Sequence, residues 1–386
     1  MPTVVKNAGG NLQVRELLRR CAHRNTKSYC QKRVAIGEHR SASFYFFLIG
    51  RHFILILSGI KQKDMLNVAI VCGGDSGEYD VSVKSAGQVF QHLDKKKFTP
   101  FLVGISKHGW VCRMDGKEAP VDKDHFTLLL DGQTVRFDAV FNAIHGTPGE
   151  DGKLQGYFDM MGIPYTSSGV TTSALTFNKS FCKKVVASMG VRTANSVHIY
   201  RHTQDPVYAI WEEIAFPCFV KPNNGGSSVG MSKVIKAEDM EAALQKAFQE
   251  DQEVLVEDFI EGRELTCGVI RSEGKVIAFP VTEIISKTDF FDYEAKYKEG
   301  LAQEVVPADI PEDISEKCRN ISIDLYEKLN CRWVVRFDYI YSNYEFYFLE
   351  VNTVPGLSEQ SIIPKMACAY GWTMTELFTR MIEECL

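Results

Sequence analysis

The stretch "KPNNGGSSVGMSK", residues 221–233, follows directly on the apolar run Phe216 to Val220 and sets three glycines and three serines between two lysines. An apolar run that ends in a lysine reads as a strand delivering a cation to its end. The loop after it is rich in backbone N–H groups and hydroxyls, and glycine lets such a backbone approach an anion closely. The pattern points to a phosphate. Gly225 and Gly230 have the spacing of a P-loop, but Met231 stands where that motif requires lysine, so the Walker pattern fails. Likewise "GGDSG" at 73–77 misses the G-x-G-x-x-G dinucleotide fingerprint. The loop therefore belongs to a different nucleotide fold, with Lys221 on the strand before it.

A partner for such a loop lies near the C-terminus. In "RWVVRFDYIY" Arg336 and Asp338 are two apart, as are Glu350 and Asn352 in "FYFLEVN". On strands each pair shares a face, and a turn at Ser342, Asn343 and Tyr344 would bring the two faces together. Asp, Glu and Asn oxygens on adjacent strands make a hard-oxygen site suited to magnesium. Taken alone, the same residues also read as the solvated face of a half-exposed sheet. Enzymes that use ATP need lysines on the phosphates and magnesium between them, and the loop supplies the first half of that requirement.

The 386 residues allow two or three domains, and 45 % apolar with 24 % charged residues is ordinary for a globular chain. Eleven cysteines without a C-x-x-C pair argue against a zinc site and a secreted disulfide framework, and fit a reducing cytoplasm. The net charge of −5 hides an asymmetry, because residues 1–64 carry 12 Lys and Arg against 3 Asp and Glu. The remainder is acidic, which disfavours nucleic acid as a partner. Within the basic leader, "FYFFLIGRHFILILSGI" (44–60) is long and apolar enough for a membrane-spanning helix, but Arg51 and His52 at its middle disfavour insertion. It starts too deep for a secretory signal. Residues 1–64 are therefore expected to be an extension outside the fold, with Met65 as the functional start and no membrane role for 65–386.

From Met65 onward, "LNVAIVCGG" reads as a buried first strand. A helix over 80–93 follows, with Val83, Ala86, Val89, Phe90 and Leu93 at helical spacing, and then the strands "FTPFLVGIS" and "FDAVFNAIHG". This is α/β with a parallel sheet. A second unit holds a helix at "NKSFCKKVVASMG" closed by Gly190, the strand "FPCFVKP", a helix at "DMEAALQKAFQE" and the strand "QEVLVEDFI". The last unit reads as α+β. It has strands "ELTCGVI" and "KVIAFPVTEI", a polar and aromatic loop, a helix near 312–329 and the strand pair at 332–352.

Seven blocks, "GGDSGEYDVS" (73–82), "IHGTPGEDGKLQG" (144–156), the 221–233 loop, "FFDYEAKY" (290–297), "VVRFD" (334–338), "EVNTVPG" (350–356) and "SIIP" (361–364), together resemble D-alanine--D-alanine ligases of the ATP-grasp superfamily in order and spacing. The resemblance covers 65–386 and none of 1–64. It implies an ATP-grasp fold with a Rossmann-like (pre-ATP-grasp) N-terminal parallel-sheet domain at 65–165. A central lobe at 166–258 and a C-terminal lobe at 259–386 would follow, the latter carrying a lid loop at 286–300. It implies that Lys179 and Lys221 contact ATP phosphates, that Ser227, Ser228 and Lys296 also bind ATP, and that Glu257, Ile260 and Glu264 stand where the family holds adenine and ribose. Asp338, Glu350 and Asn352 match ligands of two Mg2+ ions, for which Mn2+ may substitute. Arg336 and the N–H of Gly356 resemble an oxyanion site. Glu78 and His145 match the groups at the first D-alanine's ammonium and carboxylate, and Ser361 the anchor of the second carboxylate. Tyr297, with Ser227 and Glu78, would tie the lid down.

Singly, His145 reads as a packed histidine, Glu78 as a solvated carboxylate, Tyr297 as an ordinary aromatic and Ser227 as the cap of a helix starting near Val229. Their joint placement favours the site. Val335 and Phe291 depart from the family pattern without removing a ligand. Tyr297, where enzymes making D-alanyl-D-lactate commonly carry phenylalanine, favours the dipeptide as product. The expected activity is ATP-dependent joining of two D-alanines for peptidoglycan precursors, by a cytoplasmic homodimer. A D-lactate-using ligase and a nucleotide-binding module without turnover are the alternatives.

Overall fold

The computed structural model describes residues 65–114, 116–286 and 302–386, together with strands at Cys30–Ala35, Arg40–Ile49 and His52–Gln62. Met1–Met65 and Leu66–Leu386 are two separate units. In the first, the three strands form an antiparallel sheet with Arg40–Ile49 in the centre. The described residues of the stretch considered as a spanning helix are thus two antiparallel strands, pairing Phe44 with Leu57 and Ile49 with His52. Its β-branched and aromatic content suits a strand as well as a helix, and apolar runs alone do not separate the two.

The described residues of Leu66–Leu386 form three sheets. The first has eight strands, four of them parallel in the order Tyr165–Thr166, Ala139–Asn142, Leu66–Gly73 and Phe98–Ser106, continued by an antiparallel meander from Gly109 to Arg136. Val68, Ala69, Ile70 and Val71 are buried on both faces of the Leu66 strand, as expected of a parallel strand covered on both sides. The helix Tyr79–His92 follows. It turns Ser82, Ser85, Ala86 and Val89 inward, while Val83 is exposed. The inward serines are satisfied by hydrogen bonds, Ser82 Oγ donating to the Ala143 carbonyl at 2.7 Å, so a polar side chain displaces the expected apolar one from the buried face.

The second sheet orders Arg192–Thr193, Glu345–Asn352, Val334–Ser342, Arg263–Ser272, Thr282–Ser286 and Ala302–Val305, with Lys275–Ala278 paired to the Arg263 strand. The expected single strand "KVIAFPVTEI" is therefore two. Pro280 between them has no N–H to donate, and Phe279 N turns to the Gly268 carbonyl at 2.8 Å. The third sheet orders Ser196–Tyr200, Glu253–Asp258, Cys218–Pro222 and Ser232–Val234, all antiparallel. Each of the two later sheets has its own core. One gathers Leu265, Phe337, Phe348 and Tyr326, the other Val220, Val254, Leu244 and Ile199. The C-terminal helices Ile362–Tyr370 and Met374–Glu383 instead pack Ile363, Phe378 and Ile382 against Val68, Ile70 and Phe141 of the first sheet. A shared apolar core thus fastens the C-terminal helices to the first strands of the Leu66–Leu386 unit, which fixes the first sheet's loops relative to the second sheet.

Candidate active site

The Cys218–Pro222 strand runs out into the glycine- and serine-rich loop. Ser227 and Ser228 both have positive φ, at 51° and 57°, and Val229 N and Met231 N donate to the Gly226 and Ser228 carbonyls. These are turns, so no helix begins at Val229. Ser227 Oγ instead donates to the Glu78 carboxylate, 149 residues away in sequence. Gly226 makes that contact possible, because a Cβ there would fall 2.3 Å from Glu78 Oε2.

Beneath the loop, Glu257 is buried and accepts from two lysines, Lys183 Nζ at 2.6 Å on Oε2 and Lys221 on Oε1. Burial alone would raise the Glu257 carboxyl. The two ammonium groups outweigh it and hold it at about 2. Lys179 opens the helix Lys179–Ser188 and donates to the Gly225 carbonyl at 2.5 Å, with Glu350 Oε2 at 3.9 Å.

The strand pair falls as its period-2 pattern predicts. Asp338 lies opposite Glu350 and Arg336 opposite Asn352, with a register shift immediately after Asp338. The Arg336 guanidinium donates to both Asp338 oxygens at 2.8 Å, Asn352 Nδ2 to Oδ2 at 3.0 Å and Thr266 Oγ1 to Oδ1 at 2.5 Å. Asp338 is buried, which sets aside the solvated-face reading. Burial disfavours the Arg336 charge, but Asp338, Glu350 and Glu264 overcome this and strengthen its hold on the proton.

From the first sheet come Glu78 and His145. His145 is buried, chiefly for which its pKa is lowered, and its Nε2 lies 3.2 Å from Ser85 Oγ, which also accepts from Leu357 N. Glu150 accepts from Gly146 N at 2.8 Å and from Val354 N at 3.2 Å, tying the His145 loop to the segment after Asn352. Burial, then the Glu78 charge, raises its carboxyl to about 8. Ser361 precedes the helix Ile362–Tyr370 and shares a 2.7 Å hydrogen bond with Ser358.

Two adjoining cavities gather these groups. One of about 750 Å³ is lined by Glu78, His145, Asn352, Gly356 and Ser361. The other, about 450 Å³, is lined by Lys221, Ser228, Glu257, Ile260, Glu264 and Asp338. Lys179, Gly225, Ser227, Arg336 and Glu350 face both. Lys296, Tyr297 and the rest of the expected lid from 287 lie outside the described residues. Sequence reading missed Lys183, Glu150 and Thr266. Lys183 stands four residues after Lys179 on one helix face, a spacing open to reading, and Glu150 lies inside the quoted 144–156 block.

A cationic and N–H-rich wall facing an acidic strand pair across joined cavities, between two sheet lobes, defines an ATP-grasp enzyme, an ATP-dependent ligase. A family model described as D-ala D-ala ligase N-terminus matches residues 67–168, and one described as D-ala D-ala ligase C-terminus matches 185–383. The chain belongs to the D-alanine--D-alanine ligase family. It is 42 % identical over 318 residues to the D-alanine--D-alanine ligase of Phocaeicola vulgatus, covering 82 % of this chain and 98 % of that one. It is also 42 % identical over 321 residues to that of Flavobacterium johnsoniae, covering 83 % and 99 %. Among solved structures, VanG D-Ala:D-Ser ligase from Enterococcus faecalis superposes with a TM-score of 0.76 at 30 % identity, over 84 % of this chain and all of that one. D-alanyl-alanine synthetase A from Vibrio cholerae superposes with 0.75 at 28 %, over 83 % and 98 %.

Proposed function

We propose that the chain joins two D-alanines at the expense of ATP, giving D-alanyl-D-alanine, ADP and phosphate. The observation that carries this reading is that Lys179, Ser227, Arg336 and Glu350 each face both cavities. A nucleotide in the smaller cavity and an amino-acid pair in the larger one would then meet at the same four side chains. Glu257, Ile260 and Glu264 line the nucleotide side for adenine and ribose. Lys179, Lys221, Ser227, Ser228 and the loop N–H groups hold the phosphates.

Glu78 receives the ammonium of the first D-alanine and His145 stands by its carboxylate. A carboxylate oxygen attacks the γ-phosphorus, the bond to the ADP oxygen breaks, and an acyl phosphate forms. The amine of the second D-alanine, anchored through its carboxylate at Ser361, adds to the carbonyl carbon and loses a proton, and phosphate leaves with the carboxylate oxygen that attacked the γ-phosphorus. Arg336 and the Gly356 N–H stabilise the oxyanion of that addition. Ser361 sits at the N-terminus of a nine-residue helix, where a carboxylate is favoured by the exposed N–H groups. In this reading Lys296 and Tyr297 belong to a lid that excludes water from the acyl phosphate.

Magnesium fits the donor set. Asp338, Glu350 and Asn352 offer hard oxygens, and among the described residues no group of three or more His, Cys, Asp or Glu forms a self-sufficient metal cage. Two carboxylates suit an ion whose other ligands are nucleotide phosphates and water. When bound, two such ions, or manganese in their place, neutralise charge between carboxylate and triphosphate. A homodimer and a cytoplasmic setting are further parts of the proposal. No helix among the described residues is long and apolar enough to cross a membrane.

The test is to incubate the protein with ATP, magnesium and D-alanine, then with D-lactate or D-serine added, and to measure phosphate and product mass. D-alanyl-D-alanine as the main product is expected. A depsipeptide or D-alanyl-D-serine as the main product would overturn the substrate assignment, and ATP binding without phosphate release would overturn the ligase reading.

A further inference from the structure

Asn223 is fully buried at the root of the phosphate loop, and all four of its polar groups are used. Its N–H donates to the Glu253 carbonyl at 2.9 Å and its carbonyl accepts from Lys179 N at 3.1 Å. Its Oδ1 accepts from Ser180 N at 2.8 Å, and its Nδ2 donates to Glu253 Oε2 at 2.8 Å. The same Glu253 oxygen lies 2.9 Å from His198 Nε2 and 3.4 Å from Asn178 Nδ2. Asn178 in turn caps the Lys179 helix, accepting from Phe181 N at 3.0 Å.

These contacts cross between two cores. Glu253 and His198 belong to the four-stranded sheet that carries the loop, whereas the Lys179 helix buries Cys182 and Val186 in the core of the larger sheet. Loop and lysine therefore sit on different packed bodies. A cation acts on a phosphate only if its position relative to the loop N–H groups is fixed to a fraction of an ångström. Packing within either core does not fix that relation. Asn223 and Glu253 do, because each bonds to groups on both sides.

We infer that Asn223, Glu253 and His198 form a positioning clamp that sets Lys179 against the phosphate loop, and that its loss weakens nucleotide binding while leaving the D-alanine sites intact. The inference rests on reading Lys179 and the loop as ATP phosphate ligands. None of the three touches the cavities, so each acts through Lys179 and the loop. Asn223 lies in the quoted 221–233 stretch, but nothing there announces a clamp, since its partners are 30 to 44 residues away.

The test is calorimetric titration of the full chain with a non-hydrolysable ATP analogue and magnesium, alongside KM for D-alanine. Asn223→Ala and Glu253→Ala are expected to weaken the analogue about tenfold, the scale of losing a hydrogen bond to a charged group, with KM for D-alanine unchanged. Glu253→Gln, which keeps an acceptor for Asn223, should restore most of the affinity. In the Lys179→Ala background, Glu253→Ala should add almost nothing, because the two act as one unit. Additive losses, equal weakening of both substrates, or wild-type affinity in both alanine variants would overturn the clamp. Should Glu253→Ala fail to fold, Asn223→Ala and His198→Phe carry the same comparison. If the wild-type chain binds no analogue at all, the nucleotide reading itself falls, a result distinct from variants that bind as well as wild type.

Discussion

Replacing Lys183 with methionine removes one of the two cations on a buried carboxylate, and the cost follows from the charge state of Glu257. A carboxyl held at about 2 instead of the ordinary 4.5 has its charged form favoured by about 3 kcal/mol, at about 1.4 kcal/mol per pK unit. This pKa is depressed in the folded state. The corresponding stability is present above pH 4.5 and is lost as the pH falls through 4.5 towards 2. Stripping a buried charge of its partner altogether costs about 3–5 kcal/mol. With Lys221 still in place, Lys183→Met should cost about 2 kcal/mol, partly offset by the new apolar packing. The loss also reaches the nucleotide, because Lys221 becomes the sole counter-charge of Glu257 and is less available to a phosphate. Urea unfolding followed by tryptophan fluorescence at pH 7, with KM for ATP measured in parallel, checks both effects. The expected result is a lower midpoint at unchanged slope and a raised KM for ATP. A wild-type midpoint together with a wild-type KM would refute the reasoning, since it would mean that the buried triad carries no net charge energy.

Glu150 is raised to about 8 by burial and the nearby Glu78 charge, which favours its protonated form at neutral pH. Its folded pKa lies above the unfolded one, so its contribution is complete below pH 4.5 and fades as the pH rises through 8. Glu150→Gln should flatten that part of the pH–stability curve while losing one of the two backbone hydrogen bonds, because its amide nitrogen cannot accept; a variant curve that keeps the wild-type slope would show that Glu150 does not titrate there. Gly226→Ala places a methyl group on the Glu78 carboxylate and should lower kcat about tenfold by parting the loop from Glu78; an unchanged kcat would show that this contact is dispensable. Glu350→Ala and chelation of magnesium should each abolish dipeptide synthesis, and robust synthesis by that variant would reject the metal assignment.

Much of this site could be read from the chain because its chemistry is laid along strands. The alternation that set Arg336 with Asp338 and Glu350 with Asn352 is geometry that any strand obeys, and the register of Asp338 opposite Glu350 needed only a tight turn. The Leu66 strand is legible as a short β-branched run ended by two glycines. What escaped depends on tertiary distance. Lys183 and Glu257 are 74 residues apart and meet only when two cores pack. Ser227 reads as a helix cap from its neighbours in sequence, but its backbone is αL, unusual for serine, and its hydroxyl bonds Glu78, 149 residues away. Pro280 could have split its strand on sequence alone, since a proline in a paired strand removes a ladder donor. The 44–60 stretch shows the reverse case, in which an apolar run fits helix and strand equally and pairing decides.

The central claim is that a carboxylate is activated by the γ-phosphate of a nucleotide lying between Lys221 and the Asp338–Glu350 strands. It is tested most directly by supplying D-alanine labelled with 18O in its carboxylate, with ATP and magnesium, and measuring the isotope in the released phosphate by mass spectrometry. One 18O atom per dipeptide formed is expected, carried across when the acyl phosphate breaks. Dipeptide accompanied by unlabelled phosphate would contradict the account.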